Sequence, residues 1–288
     1  MVARHPPVCQ GVLMQNPVRS LGLQTDLMVR AFRGHIDVTP ERVAVRTPSN
    51  PTFRWGNYLV LPRAPQSGDM PHWIAMFREA VGGPPQIEHL AFTWDAPDGE
   101  EGAVDEFVAA GFDRFRVWVM TARALNDPRT VNHACAIRTL AGDGDFDQLV
   151  DLWLDQNAAL PPDEREGDGH EVFCRRQAAG CRAMCEAGWC EWYGAYLDGK
   201  LVASLGVVVR DGLGRFQIVD THPDFRRQGL AGTLLVHAGR VALDRRGATT
   251  LVIAADADDV AKDLYESVGF RTTEWLTELT LVDGTAHP

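Results

Sequence analysis

The chain has 288 residues, 45% of them hydrophobic and 23% charged, with a formal net charge of −11. That length suits one large domain or two small ones with a buried core. The negative balance argues against nonspecific binding to nucleic acid or to an anionic membrane, and mildly favours cationic partners. No apolar run reaches the length of a membrane span. Met1–Gln15 has no apolar core of signal-peptide length, so a cytoplasmic location is expected.

Residues 1–21 hold Pro6 and Pro7 without periodicity and are expected to be flexible. Residues 22–130 read as an α/β segment. Arg54–Leu61 has strand character and is closed by Pro62. Pro71–Val81 is helical, with proline near the first turn and Gly82-Gly83 ending it. His89–Trp94 is a second strand, Ala103–Ala110 a short helix ending at Gly111, and Arg114–Met120 alternates as a strand should. Ala124–Asn132, with Pro128, reads as a linker to a second domain over 133–284.

Cys135–Leu140 opens that domain as an edge-like strand. Asp145–Asp155 is a helix with Phe146, Leu149, Val150 and Trp153 on one face. Leu160–Gly169 is an acidic loop, read either as a solvated surface or as a lure for an amine. A helix over His170–Ala187 follows. Strands Glu191–Leu197 and Leu201–Val209 are joined by the hairpin signal Asp198-Gly199. The chain has six cysteines, four of them between 174 and 190, but no Cys-x-x-Cys and no nearby histidine pair. Reduced thiols, not a metal site, are expected.

The second domain is organised around Val219-Asp220-Thr221-His222-Pro223-Asp224-Phe225-Arg226-Arg227-Gln228-Gly229-Leu230-Ala231-Gly232. A short strand, Phe216–Val219, precedes it. Leu230, Leu234, Leu235, Ala238, Val241 and Ala242 then mark one face of a helix. A turn of this kind aims several backbone N–H groups at one spot, and the helix dipole adds partial positive charge, so a pyrophosphate fits there. Gly229, with Ala231 or Gly232, keeps the approach clear, and Arg226 and Arg227 add charge. A strand (Thr250–Ala254), a helix (about 259–267), Gly269-Phe270 and a last strand (Arg271–Leu281) complete the order β-α-α-β-β-β-α-β-α-β.

Arg226-x-x-Gly229-x-Ala231 resembles the (Gln/Arg)-x-x-Gly-x-(Gly/Ala) signature of the GNAT superfamily of acyl-CoA N-acyltransferases. Leu264-Tyr265-Glu266-Ser267-Val268-Gly269-Phe270 looks like that family's Leu-Tyr-x-x-x-Gly-Phe element at the expected distance. Ala103–Phe112 runs in step with Ala261–Phe270, with Phe107 where Tyr265 stands. The first half has no phosphate signature and reads as a decayed copy. The fold class expected is α/β (α+β): tandem GNAT-like domains, each a mixed central sheet flanked by helices, the first degenerate.

The resemblance implies direct transfer of an acetyl or other acyl group from acetyl-CoA, a co-substrate, to an amine. It implies no metal. Backbone groups of Val219 and Thr221 would pair with pantetheine. Arg226, Arg227, Gln228, Gly229, Leu230, Ala231 and Gly232 would cradle the pyrophosphate. Asp258 stands where an asparagine often contacts CoA, a departure, since a carboxylate cannot donate. Tyr265 matches the family's general acid. The base is open: Arg215 and Gln217 occupy strand positions where some members carry a glutamate, leaving Asp220, Glu191 or a water chain. His222 reads as a turn residue and His237 as a packed or surface residue. The acceptor is a small-molecule or peptide amine, and the chain a monomer or homodimer. The competing reading is a catalytically silent CoA-binding or interaction module of the same fold.

Overall fold

The computed structural model describes residues 17–257 and 261–282. The first half runs α1 (Leu21–Arg30), β1 (His35–Val38), β2 (Val43–Arg46), a 3₁₀ turn at Arg54–Gly56, β3 (Tyr58–Leu61), α2 (Met70–Ala80), β4 (His89–Trp94), α3 (Val104–Ala109) and β5 (Asp113–Ala122). The second runs β6 (Ala136–Thr139), α4 (Gly142–Ala158), α5 (His170–Glu186), β7 (Cys190–Leu197), β8 (Lys200–Arg210), β9 (Leu213–Thr221), α6 (Leu230–Arg245), β10 (Thr250–Asp256), α7 (Ala261–Ser267) and β11 (Arg271–Val282). The order read from the sequence for the second half is the order found. In the first half the expected strand at 54–61 begins as the 3₁₀ turn, and α1, β1 and β2 are additions.

α1 owes its start to distant residues. Ser20 caps it, its hydroxyl accepting from Leu23 N–H at 3.2 Å. The Glu274 carboxylate accepts from Leu21 and Gly22 N–H at 2.7 and 3.1 Å, satisfying orphan donors of the first turn. Arg19 and Ser20 N–H donate to Asp95 at 2.7 and 2.8 Å. Of the segment 1–21 expected to be flexible, residues 1–16 lie outside the described residues and 19–21 are held by these bonds.

The described strands form one sheet, ordered β1-β2-β3-β4-β11-β5-β10-β9-β8-β7-β6. Two repeats face each other across its centre. In one, β2 and β3 are antiparallel and β3 and β4 parallel. In the other, β8 and β9 are antiparallel and β9 and β10 parallel. α2 and α6 connect the parallel pairs, and α3 and α7 lead to the last strands. Those last strands are exchanged. β5 ends the first repeat yet pairs with β10 of the second, and β11 ends the second yet pairs with β4 of the first. β5 and β11 then pair with each other from Asp113↔Thr280 to Thr121↔Arg271. The helix-Gly-Phe-strand similarity seen in the sequence is the visible end of this repeat.

The repeats differ where their parallel strands meet. β3 and β4 stay paired to Leu61↔Trp94, and Asp95 N–H extends the ladder to the Leu61 carbonyl at 2.9 Å. Trp73, Phe92, Phe107 and Phe112 fill the space beside them, all buried. β9 and β10 pair only from Leu213↔Thr250 to Arg215↔Val252 and then separate. The linker after β5 runs along α6. Asn132 N–H donates to Thr233 Oγ1 at 2.9 Å, its amide donates to the Gln228 carbonyl at 3.0 Å, and Arg240 pairs with Asp127 at 2.8 Å.

Candidate active site

The opening between β9 and β10 is the mouth of a cavity of 1140 Å³. Opposite β8, Gln217 pairs with Gly206 and Asp220 with Ser204, so Ile218 and Val219 stand against Leu205 alone. This is a β-bulge, with Ile218 at φ +41°. Beyond Arg215 the β10-facing backbone edge of β9 has no strand partner, which opens backbone groups in 216–221 to a ligand, although the Phe216 and Thr221 carbonyls also accept from the Gln217 and Gln156 side chains at 2.9 and 3.3 Å. Val219 and Thr221, predicted to pair with pantetheine, lie on this edge and line the cavity.

The turn from β9 to α6 ends at Gly229, in the left-handed region at φ +76°, with Arg227 before it at φ +61°. Gly229 provides no side-chain cap, so the first-turn N–H groups of α6 point outward with the positive end of the helix dipole. Arg226, Arg227, Gly229, Leu230, Ala231 and Gly232 line the cavity here, and both arginines are exposed. Gln228 is exposed but does not line it; its backbone carbonyl holds the linker. Gly229 has a second reason to be glycine. A Cβ there would lie 2.5 Å from the Thr130 carbonyl oxygen of the linker. Asp258, the remaining predicted contact, lies outside the described residues.

Tyr265 is 5% exposed. Its ring packs in the core beneath α6, tilted against Phe270 at 6.2 Å between centroids. Ala261 and Leu264 of the same helix line the cavity; Tyr265 is not among the lining residues.

Asp220 does line the cavity, just past the bulge. Its Oδ2 accepts from Trp153 Nε1 at 2.7 Å. Burial pushes its carboxyl up to about 6, against the pull of the Trp153 and Gln156 hydrogen bonds and of Arg226. Glu191, the other carboxylate weighed from the sequence, accepts from the Tyr193 hydroxyl and pairs with Arg246 at 3.5 Å, away from the cavity. His222 accepts from Asp224 N–H at 3.2 Å, with Asp155 3.1 Å from its Nε2, as a turn residue would. His237 packs edge-on to Tyr193. Glu166 of the acidic loop lines the cavity but is paired with Arg54 at 2.7 Å, so its charge is already met.

Sequence reasoning missed the deeper wall. Asp26, Arg30, Tyr58 and Glu278 come from both ends of the chain and meet beside Arg215. Arg30 pairs with Asp26 at 3.1 Å, and the Tyr58 hydroxyl donates to the same carboxylate. Burial, reinforced by Asp26, pushes the Glu278 carboxyl up to about 8. Only the topology, with β11 lying in the first repeat, brings these residues together. Among the described residues no cluster of three or more His, Cys, Asp or Glu can hold a metal, Cys135, Cys174, Cys181, Cys185 and Cys190 are free thiols, and no helix is long and apolar enough to cross a membrane.

Residues 192–278 match the family model described as FR47-like protein. No curated protein matches the sequence. Among solved structures, the chain is similar to a conserved protein of unknown function from Staphylococcus epidermidis (14% identity, TM-score 0.68, 87% of this chain and 94% of that one). It is also similar to a GCN5-related N-acetyltransferase from Kribbella flavida (15% identity, TM-score 0.59, 93% and 96%). A third likeness is a tandem GNAT protein from the clavulanic acid biosynthesis pathway (14%, TM-score 0.53, 92% and 88%). At these identities the likeness is one of fold, and the fold is the tandem GNAT architecture expected from the two motifs.

Proposed function

We propose that this tandem GNAT fold is an N-acyltransferase, moving an acyl group, most simply acetyl, from acyl-CoA to an amine in the second repeat. One observation carries the reading. The uncapped start of α6 and the unpaired edge of β9 open into the same cavity, and a carboxylate, Asp220, stands on its wall. The residues fit acyl-CoA: Arg226, Arg227 and the first turn of α6 for the pyrophosphate, Val219 and Thr221 for the pantetheine amides. Bound there, acyl-CoA would supply the acyl group as an activated thioester.

The acceptor amine must be neutral to form its bond to the acyl carbon as the carbon–sulfur bond breaks. In this reading Asp220 receives the amine's proton, being ionised at neutral pH and held in place by Trp153 Nε1. Tyr265 returns a proton to the departing sulfur. Holding both substrates in one cavity lowers the entropic barrier. The first repeat, with its parallel strands paired and its cleft filled by aromatic rings, takes no part in binding CoA.

The silent CoA-binding module draws support from one feature, the packing of Tyr265 in the core rather than on the cavity wall. Incubating the protein with acetyl-CoA and a panel of amines, while following free thiol, separates the two. Amine-dependent thiol release, with calorimetry giving one acetyl-CoA per chain, is the expected result. Binding without release for every amine would favour the silent module. A stoichiometry near two would overturn the assignment of the first repeat as decayed.

A further inference from the structure

The cavity extends past the β9 bulge, towards α1, into a chamber that the acyl-transfer reading leaves unused. Arg215 stands in its wall. The next residue along β9, Phe216, packs in the core with α6, so alternation sends Arg215 to the opposite face of the sheet. Arg215 is 8% exposed. Its Nε and Nη1 are buried without a hydrogen-bond partner among the described residues. Asp26 and Glu278 act on it only through space, and Asp26 is already shared by Arg30 and the Tyr58 hydroxyl. Arg215 forms no ion pair among the described residues, and neither does Glu278, which also lines the chamber. A guanidinium taken out of water without an anion is costly to keep. Besides Asp26, Arg30, Tyr58 and Glu278, the cavity wall carries the apolar side chains of Phe53, Trp55, Phe173 and Leu276.

We propose that the acceptor is an aminocarboxylic acid with an apolar or aromatic body, and that Arg215 binds its carboxylate. The guanidinium fork matches a carboxylate in two parallel hydrogen bonds, which an ammonium of the same size would not supply. The body of the acceptor packs on the aromatic wall. Its amino group then points back towards Asp220 on the cavity wall. The identity of the acceptor as an amine rests on the acyl-transfer reading; the binding of a carboxylate at Arg215 does not.

The test measures binding of phenylalanine and leucine, and of their decarboxylated counterparts phenethylamine and isopentylamine, by calorimetry without acetyl-CoA. Wild-type protein should hold the amino acids tighter than the amines by roughly 10–100-fold, the worth of one or two charge-assisted hydrogen bonds. In Arg215→Gln that ratio should fall to about one, and Arg215→Lys should restore part of it. A structural role would lower the melting temperature of Arg215→Gln. A ligand-holding role predicts that it melts no lower than wild type, since an unpaired buried cation is removed. Equal affinity for amino acids and amines, no binding by any of the four, or a preference that survives Arg215→Gln would overturn the proposal. Carboxylate-dependent binding in a protein that never releases thiol would sink the acyl-transfer reading and leave Arg215 in place. Equal acetylation of amines and amino acids would do the reverse.

Discussion

At the scale of single residues, Asp220 and Tyr265 divide the chemistry between a group on the cavity wall and one behind it. Asp220→Asn keeps an oxygen for Trp153 Nε1, so the local structure should survive. Loss of a base is worth roughly 10²–10⁴-fold in rate, and a fall of that size in kcat/KM, with the acetyl-CoA dissociation constant unchanged, is expected. Because a base works only when ionised, wild-type kcat/KM should rise with pH through about 6, the value to which burial lifts this carboxyl, and then level. The variant should lose that limb. A wild-type pH profile in Asp220→Asn would remove the residue from the mechanism. Tyr265→Phe deletes one oxygen from a ring packed against Phe270. If the phenol protonates the leaving sulfur, kcat should drop by about 10–100-fold with acetyl-CoA affinity intact; an unchanged kcat would leave the tyrosine a packing residue. The two differ in legibility. Tyr265 stands in a motif, and Asp220 was visible as a strand carboxylate. What lifts Asp220's pKa is burial, and what holds the carboxylate is Trp153, 67 residues earlier in the chain, which no local pattern records.

At the scale of elements, the turn into α6 joins two demands that the sequence presented as one. The glycine of the signature was legible as a clear approach for phosphate. The structure adds that Gly229 has a left-handed backbone and that the linker carbonyl of Thr130 sits where its Cβ would go. Any side chain at 229 therefore strains the fold as well as the cradle, and lost CoA binding there would not isolate the anion site. Ala231 does. It lies in the first turn of α6, half-exposed on the cavity. A glutamate there is favourable to the helix dipole by about 0.3–1 kcal/mol yet repels a pyrophosphate. Ala231→Glu should melt no lower than wild type while losing measurable acetyl-CoA binding by calorimetry. Normal binding in that variant would mean that the anion sits elsewhere. Elsewhere, strong punctuation decided what could be read. Asp198-Gly199 marked a hairpin that the structure contains, whereas α1 carries Gly22 and Thr25 in a short helix whose cap partner is Glu274, far along the chain.

At the scale of the whole molecule, the exchange of β5 and β11 ties the repeats into one sheet. The segment 124–132, read from the sequence as a linker, lies between β5 and β6. It does not mark where one folded unit stops, because strand exchange leaves no local signature: β5 alternates and ends as it would in its own sheet. The consequence is physical. A second half made alone, residues 133–288, would have β10 without the neighbour it pairs with at Leu251–Asp256, and β11 would lose both β4 and β5. A first half made alone, residues 1–130, would leave β4 and β5 with open edges. Unpaired edges of this length favour association. The intact chain should therefore unfold in a single transition, with tryptophan fluorescence and far-ultraviolet circular dichroism coinciding. Each half expressed alone should be aggregated or largely unfolded, and the two co-expressed should co-purify as a 1:1 complex that regains acetyl-CoA binding. A monomeric second half with cooperative melting and full acetyl-CoA affinity would show that the exchanged strands add contact without adding dependence.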